Sequence, residues 1–144
     1  MKVLVQRSGK AFVKVDQKIV GKIDSGLVLL VGFTEGDDLE KIKYLAKKVV
    51  NLRIFPDSND VMNKSILDYG GSILSISQFT LYADTSKGNR PSYINALGGE
   101  EASKLYDSFN EELRKYIIVE EGLFGADMEV SLTNIGPTTI ILER

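Results

Sequence analysis

The stretch Ser77-Gln78-Phe79-Thr80-Leu81-Tyr82-Ala83-Asp84 gathers the groups best suited to chemistry: three hydroxyls and one amide in eight residues. It continues an apolar run, Ile73-Leu74-Ser75-Ile76, and so reads as the end of a buried strand. Polar groups in such a place are costly unless they are hydrogen-bonded or used. The plain reading is that Ser77 and Thr80 bond neighbouring backbone. The functional reading makes the stretch a candidate site.

What is missing narrows the chemistry further. The chain has no histidine and no cysteine. A Ser-His-Asp triad, a His-ligated metal, a thiol nucleophile and a disulfide are therefore excluded. A hydrolase built from these residues must move protons with carboxylates, lysines, water or the substrate itself. The net charge of −2 and pI near 5.2 argue against a broad nucleic-acid grip. A small basic patch remains open: Lys87 and Arg90 sit in the Gly- and Pro-containing loop that follows the candidate site, where they can meet a phosphate or simply face water. The segment Asn134-Ile135-Gly136-Pro137 reads as an ordinary turn. Only about 5–6% of X–Pro bonds are cis in folded proteins, so composition gives no reason to expect one here.

The elements that must hold these groups follow from periodicity. Residues 3–6 form a short strand, Ser8-Gly9-Lys10 a turn, and residues 11–15 a half-buried strand in which Ala11, Val13 and Val15 alternate with polar partners. Residues 19–23 form another strand. Residues 27–33 are apolar on both faces and read as a central strand. Leu39, Ile42, Leu45, Ala46, Val49 and Leu52 define an amphipathic helix, with Lys41, Lys43, Lys47 and Lys48 on its solvated face. Residues 61–68 fit no single pattern. A second helix covers residues 100–116, and strands close the chain at 117–119, 128–133 and 138–142.

At 144 residues, 43% hydrophobic with 3 prolines, the chain is expected to form one domain over 1–144 with a full core. Two helices cannot cover both faces of this many strands. The expected fold is α/β of the α+β type, with antiparallel-rich, curved or barrel-like sheets and two helices packed on one side, in β-β-β-α-β-α-β-β order. The start of the chain is too soon charged for a signal peptide, and no apolar run approaches the ~20 residues of a membrane helix. A cytoplasmic location without membrane attachment is expected.

Three stretches together resemble the D-aminoacyl-tRNA deacylase (D-tyrosyl-tRNA deacylase) family. They are 77–84, Lys87-Gly88-Asn89-Arg90-Pro91-Ser92, and the segment from Phe124-Gly125-Ala126-Asp127-Met128 through Asn134-Ile135-Gly136-Pro137-Thr138-Thr139. The opening Val-Gln-Arg and Val50-Asn51-Leu52-Arg53-Ile54-Phe55 also fit, so the resemblance spans the chain. It implies hydrolysis of the ester joining a D-amino acid, or mischarged glycine, to the 3′ end of tRNA, by a homodimer without metal or other cofactor. No DNA partner is expected. Ser77, Gln78, Phe79 and Thr80 would line the pocket for the aminoacylated adenosine, with Phe124 and Met128 near the substrate. Gly136 and Pro137 would form a cis pair that enters the partner subunit's pocket, holds the amino group and leaves no room for an L side chain. Arg7 would brace that pair. Two positions depart from the family's common pattern: Ile135, where an acidic residue is frequent, and Thr138, where valine is.

Two chemical routes suit an activated aminoacyl ester. Thr80 can act as a nucleophile, which needs a nearby base. Alternatively, backbone N–H groups near Phe79 and Thr80 stabilise the oxyanion while the ribose 2′-hydroxyl assists water; one well-placed donor is worth about 10²–10³ in rate. The missing histidine favours the second. Two other readings stand beside the deacylase: a small-molecule esterase or amidase dependent on Thr80, and a non-catalytic dimeric binding module.

Overall fold

The computed structural model describes all residues from 1 to 144. Its elements are β1 (Lys2–Val15), β2 (Lys18–Ile23), β3 (Gly26–Gly32), α1 (Leu39–Asn51), β4 (Phe55–Pro56), β5 (Met62–Lys64), α2 (Ile66–Tyr69), β6 (Ser72–Ser77), a 3₁₀ turn (Phe79–Tyr82), α3 (Gly99–Arg114), β7 (Val119–Glu121) and β8 (Glu129–Glu143).

The main sheet runs β2-β1-β3-β6-β7, with β8 on the other side of β1. The pairings of β1 with β2, β3 and β8 are antiparallel, and those of β3 with β6 and β6 with β7 are parallel. The sheet curls until its ends meet. A Cβ added to Gly21 of β2 would lie 2.6 Å from the carbonyl oxygen of Glu121 in β7, so only glycine allows this approach. The result is a nearly closed barrel.

Strand β1 serves two layers. Val3 and Val5 pack with the helices, whereas Ala11 and Val13 pack inside the barrel. Residues an even number apart should share a face. The register explains the exchange: Ser8 to Ala11 is three positions on β1 against two, Asn134 to Leu132, on β8. One extra residue reverses the alternation. The turn expected at Ser8-Gly9-Lys10 is thus a bulge in a continuous strand. The expected turn at 134–137 is likewise part of β8, and the two irregularities face each other at Ser8 and Asn134. Where reversal does occur, between β1 and β2, Asp16 and Gln17 both have positive φ, 48° and 63°. That is the backbone a two-residue hairpin needs.

Both long helices lie against one face. Helix α1 starts at Asp38, whose side chain accepts from the Lys41 N–H at 2.9 Å, and buries Ile42, Leu45, Ala46, Val49 and Val50. Helix α3 buries Ala102, Tyr106, Phe109 and Leu113. Fully burying one such side chain contributes about 1.5–3 kcal/mol. Between the helices and the sheet lie Val3, Val5, Leu27, Leu29, Val31 and Ile73; a smaller cluster with Val28, Leu74 and Ile76 fills the barrel. The unassigned residues 61–68 resolve into β5 and the four-residue α2. That third helix is fixed by a capping box in which Ser65 and Asp68 each accept from the other's backbone N–H. It is too short to show a helical repeat in sequence. No helix is long and apolar enough to cross a membrane.

Candidate active site

Strand β6 ends at Ser77, so most of the polar stretch lies beyond it. The Gln78 N–H still bonds the Val31 carbonyl at 2.7 Å, but Phe79–Tyr82 then coil into a 3₁₀ turn instead of extending the strand. Gly32 permits this: a Cβ there would sit 2.8 Å from the Gln78 carbonyl oxygen. The change of geometry matters because the first N–H groups of a helical turn have no partner within it. Those groups belong to Phe79, which lines a cavity, and to Thr80, which follows it in the turn.

The cavity measures about 630 Å³ and is lined by 19 residues, 12 of them hydrophobic. This is the size and character of a small-molecule site. One wall is the end of β3, Val31 to Phe33, with Ser77, Gln78 and Phe79. A second wall is Tyr93, Ala96, Leu97 and the start of α3. It is tied to the end of β3 by Leu97 N–H to Phe33 carbonyl at 2.9 Å and Thr34 Oγ1 to Asn95 carbonyl at 2.7 Å. Phe79 and Tyr93 meet edge to face, with ring centroids 5.0 Å apart. The third wall runs Phe124, Gly125, Ala126, Asp127, Met128 and Val130. Phe124 leans on Tyr106, centroids 5.9 Å apart, and the Tyr106 hydroxyl donates to the Ser75 carbonyl at 2.8 Å. Burial, more than any hydrogen bond, pushes the Tyr106 hydroxyl pKa up, so it stays a neutral donor. Met128 packs over Gly122, the side of the chain a Cβ would occupy.

The structure therefore brings Ser77, Gln78, Phe79, Phe124 and Met128 into one cavity. Thr80 does not line it; its hydroxyl accepts a hydrogen bond from the Gln78 side-chain amide. No base stands beside Thr80 in that contact. The Tyr82 hydroxyl also points elsewhere: it is buried without a partner, Lys2 lies 4.6 Å over its ring, and burial followed by the charges of Asp37 and Glu143 raises its pKa. Lys87 and Arg90 are exposed on the loop closed by the reciprocal backbone bonds of Asp84 and Ser92, at 2.8 and 2.9 Å. They do not reach the cavity walls. Asp84 itself caps that loop by accepting from Ser86 N–H, which holds its carboxyl below the usual range.

Arg7, Gly136 and Pro137 form a separate group outside the cavity lining. Between Gln6–Thr139 and Ser8–Asn134, two positions on β1 face five on β8, so residues 135–138 stand out as a bulge. Arg7 donates from Nε to the Ile135 carbonyl at 3.2 Å and from Nη1 to the Ile54 carbonyl at 2.7 Å. Asn134 Oδ1 accepts from Thr138 N–H at 3.0 Å. Gly136 has φ of +116°, and its peptide to Pro137 is cis. Gly136 and Pro137 are exposed.

Sequence patterns pointed to neither Tyr93 nor Asp127 as a site residue. Tyr93 follows a loop whose return depends on long-range bonds. Asp127 looks like any turn aspartate; only its place on the cavity wall distinguishes it.

Comparisons with known proteins agree with this geometry. A solved structure described as a probable eukaryotic D-amino acid tRNA deacylase superposes with a TM-score of 0.84, covering 98% of this chain and 97% of its own, at 17% identity. That likeness defines the fold class. A second, described as the c-Myc DNA unwinding element binding protein, has a TM-score of 0.94 and 38% identity, covering 100% of this chain and 99% of that one. The family model for D-Tyr-tRNA(Tyr) deacylase matches residues 4–143, and the chain belongs to that family. It is a hydrolase acting on the ester bond of aminoacyl-tRNA.

Proposed function

We propose that this enzyme removes D-amino acids, and glycine misplaced on tRNA, as a chiral proofreading step of translation in the cytoplasm. The observation that carries the proposal is the cavity itself: a chamber with 12 hydrophobic residues among its 19, walled on one side by Ser77, Gln78 and Phe79 where the 3₁₀ turn begins, with no histidine in the chain to serve a hydroxyl nucleophile. The ester carbonyl sits against the N–H groups of Phe79 and Thr80, which bind the developing oxyanion. Water attacks with help from the ribose 2′-hydroxyl. Gln78 and Thr80 fix each other and hold the turn in shape. Ser77, Phe124 and Met128 contact the acyl group and terminal nucleoside. Lys87 and Arg90 take phosphates of the acceptor end from the loop outside.

The active form is a homodimer in which Gly136 and Pro137 of each copy complete the other's cavity. Support comes from their position: they are exposed, absent from their own cavity lining, and flanked by Ile135 and Thr138, which Arg7 and Asn134 hold by hydrogen bonds. Their carbonyls bind the substrate's amino group and exclude an L side chain. Ile135 and Ile141, large apolar residues 44% and 63% exposed on β8, fit a face that a second copy covers. The name of the 38%-identical structure suggests a DNA unwinding element as another ligand. The net charge of −2 argues against it here.

Purified protein offered D-tyrosyl-tRNA and D-tyrosine methyl ester tests the substrate class. The deacylase reading predicts strong preference for the tRNA ester. Comparable kcat/KM on both would leave a general esterase, and binding without turnover would leave a binding module.

A further inference from the structure

Of the 19 residues that line the cavity, Asp127 alone carries a charged side chain. Several aspartates of this protein are committed to backbone N–H groups, whereas Asp16, Asp24 and Asp60 in exposed turns, like Asp127, accept none. Asp38 accepts from Lys41, Asp57 from Asn59 and Val61, Asp68 from Ser65, and Asp84 from Ser86. Asp127, in the turn that leads into β8, accepts from no protein donor, and no Lys or Arg nitrogen lies within 4.0 Å of it. Asp127 is exposed in the free protein, so its carboxylate loses solvation only when an occupant of the chamber covers it. The loss is offset only by an occupant that brings positive charge.

We infer that Asp127 is the anionic partner of the substrate's α-ammonium group. The inference rests on the function proposed above. An aminoacyl-tRNA terminus offers phosphates, which a carboxylate repels, neutral hydroxyls and base edges, and one cation, the α-ammonium. That ammonium has three N–H donors. Two go to the Gly136 and Pro137 carbonyls supplied by a second copy, and the third goes to Asp127 of the copy that owns the cavity. The division of labour is physical. The carbonyls fix direction and so chirality, whereas the carboxylate supplies the charge complement that makes the bond charge-assisted. Asp127 lies on a different wall from Phe79, so the amino group and the ester carbonyl are held from two sides of the chamber. It is thus a substrate-binding residue and takes no proton in the hydrolysis.

The test is Asp127→Asn, which keeps size and shape and, because the carboxylate makes no hydrogen bond or ion pair within the protein, should leave folding intact. Two esters are compared: D-tyrosyl-tRNA, and the same tRNA esterified with the D-configured 2-hydroxy analogue, in which an uncharged hydroxyl replaces the ammonium. The expected result is a loss of kcat/KM of about 10- to 100-fold on D-tyrosyl-tRNA, with no change on the hydroxy ester relative to the unsubstituted enzyme. An equal loss on both esters, or no loss on D-tyrosyl-tRNA, overturns the assignment. Should the unsubstituted enzyme cleave neither ester, the deacylase reading itself fails and takes this assignment with it. Cleavage of both with an indifferent Asn variant removes Asp127 alone.

Discussion

Arg7 and Ile135 are joined across two strands: the Arg7 Nε donates to the Ile135 carbonyl at 3.2 Å while its Nη1 donates to Ile54 at 2.7 Å. One side chain on β1 thereby anchors the bulge of β8 to the segment after α1. Removing it frees the bulge and leaves the carbonyl of the buried Ile54 without that partner. Arg7→Ala should cost about 1–3 kcal/mol of stability, and it should erode the discrimination between D- and L-esters more than the rate on D-esters. Lysine lacks the planar fork and should not restore either property. Chemical denaturation together with paired rates on D- and L-tyrosyl-tRNA reads both effects.

Gly136 admits no side chain. Its φ of +116° is disfavoured for L residues, and a Cβ would lie 2.8 Å from both Arg7 Nη2 and Thr138 Oγ1. Gly136→Ala should destabilise the fold by about 1–3 kcal/mol and cut turnover by displacing Arg7. A thermal melt and a D-tyrosyl-tRNA assay check the two together. An alanine variant with unchanged melt and rate would mean that the bulge is not a braced device.

Thr80→Ala separates the two chemical routes. If backbone N–H groups hold the oxyanion, the substitution removes only the acceptor of the Gln78 amide, and kcat should fall by about ten-fold at most. Loss of an oxyanion donor would cost about 10²–10³. Abolished turnover in a folded variant, with an acyl adduct trapped on the unsubstituted enzyme, would assign Thr80 as nucleophile.

Completion of one copy's cavity by another predicts complementation. Ala126→Trp fills the cavity but leaves the bulge; Gly136→Val damages the bulge but leaves the cavity. Each should be inactive alone. Mixed and allowed to exchange subunits, they should regain up to about a quarter of the unsubstituted sites, the share expected for random two-fold dimers. No recovery despite demonstrated exchange would contradict a shared site.

Much of this was legible in the chain before folding. Helix α1 appeared at the spacing of Ile42, Leu45, Ala46 and Val49 because its burial is one-sided, and α3 for the same reason, although Leu39, which the pattern placed on the same stripe, is exposed. The barrel-like sheet followed from the count of strands against helices. Two turns were expected where strands continue, at residues 8–10 and 134–137. The reason is that glycine, asparagine and proline mark a bulge as readily as a reversal, and only the pairing of Ser8 with Asn134 distinguishes them. The polar stretch after Ile76 looked like strand by composition. It coils from Phe79 because Gly32 lets the chain close over β3, a contact 46 residues away in sequence. Ser77, Gln78, Phe79, Phe124 and Met128 line one cavity, although the two groups lie far apart in the chain. Tyr93 and Asp127 were hidden, since their role depends on which walls face each other.

The most direct measurement is hydrolysis of D-tyrosyl-tRNA and L-tyrosyl-tRNA by the purified protein with EDTA present. Rapid release of the D-residue with the L-ester spared is the predicted result, and it would join the reaction, its chirality and its independence of added metal in one experiment. Equal hydrolysis of both esters would contradict the chiral role given to Gly136 and Pro137.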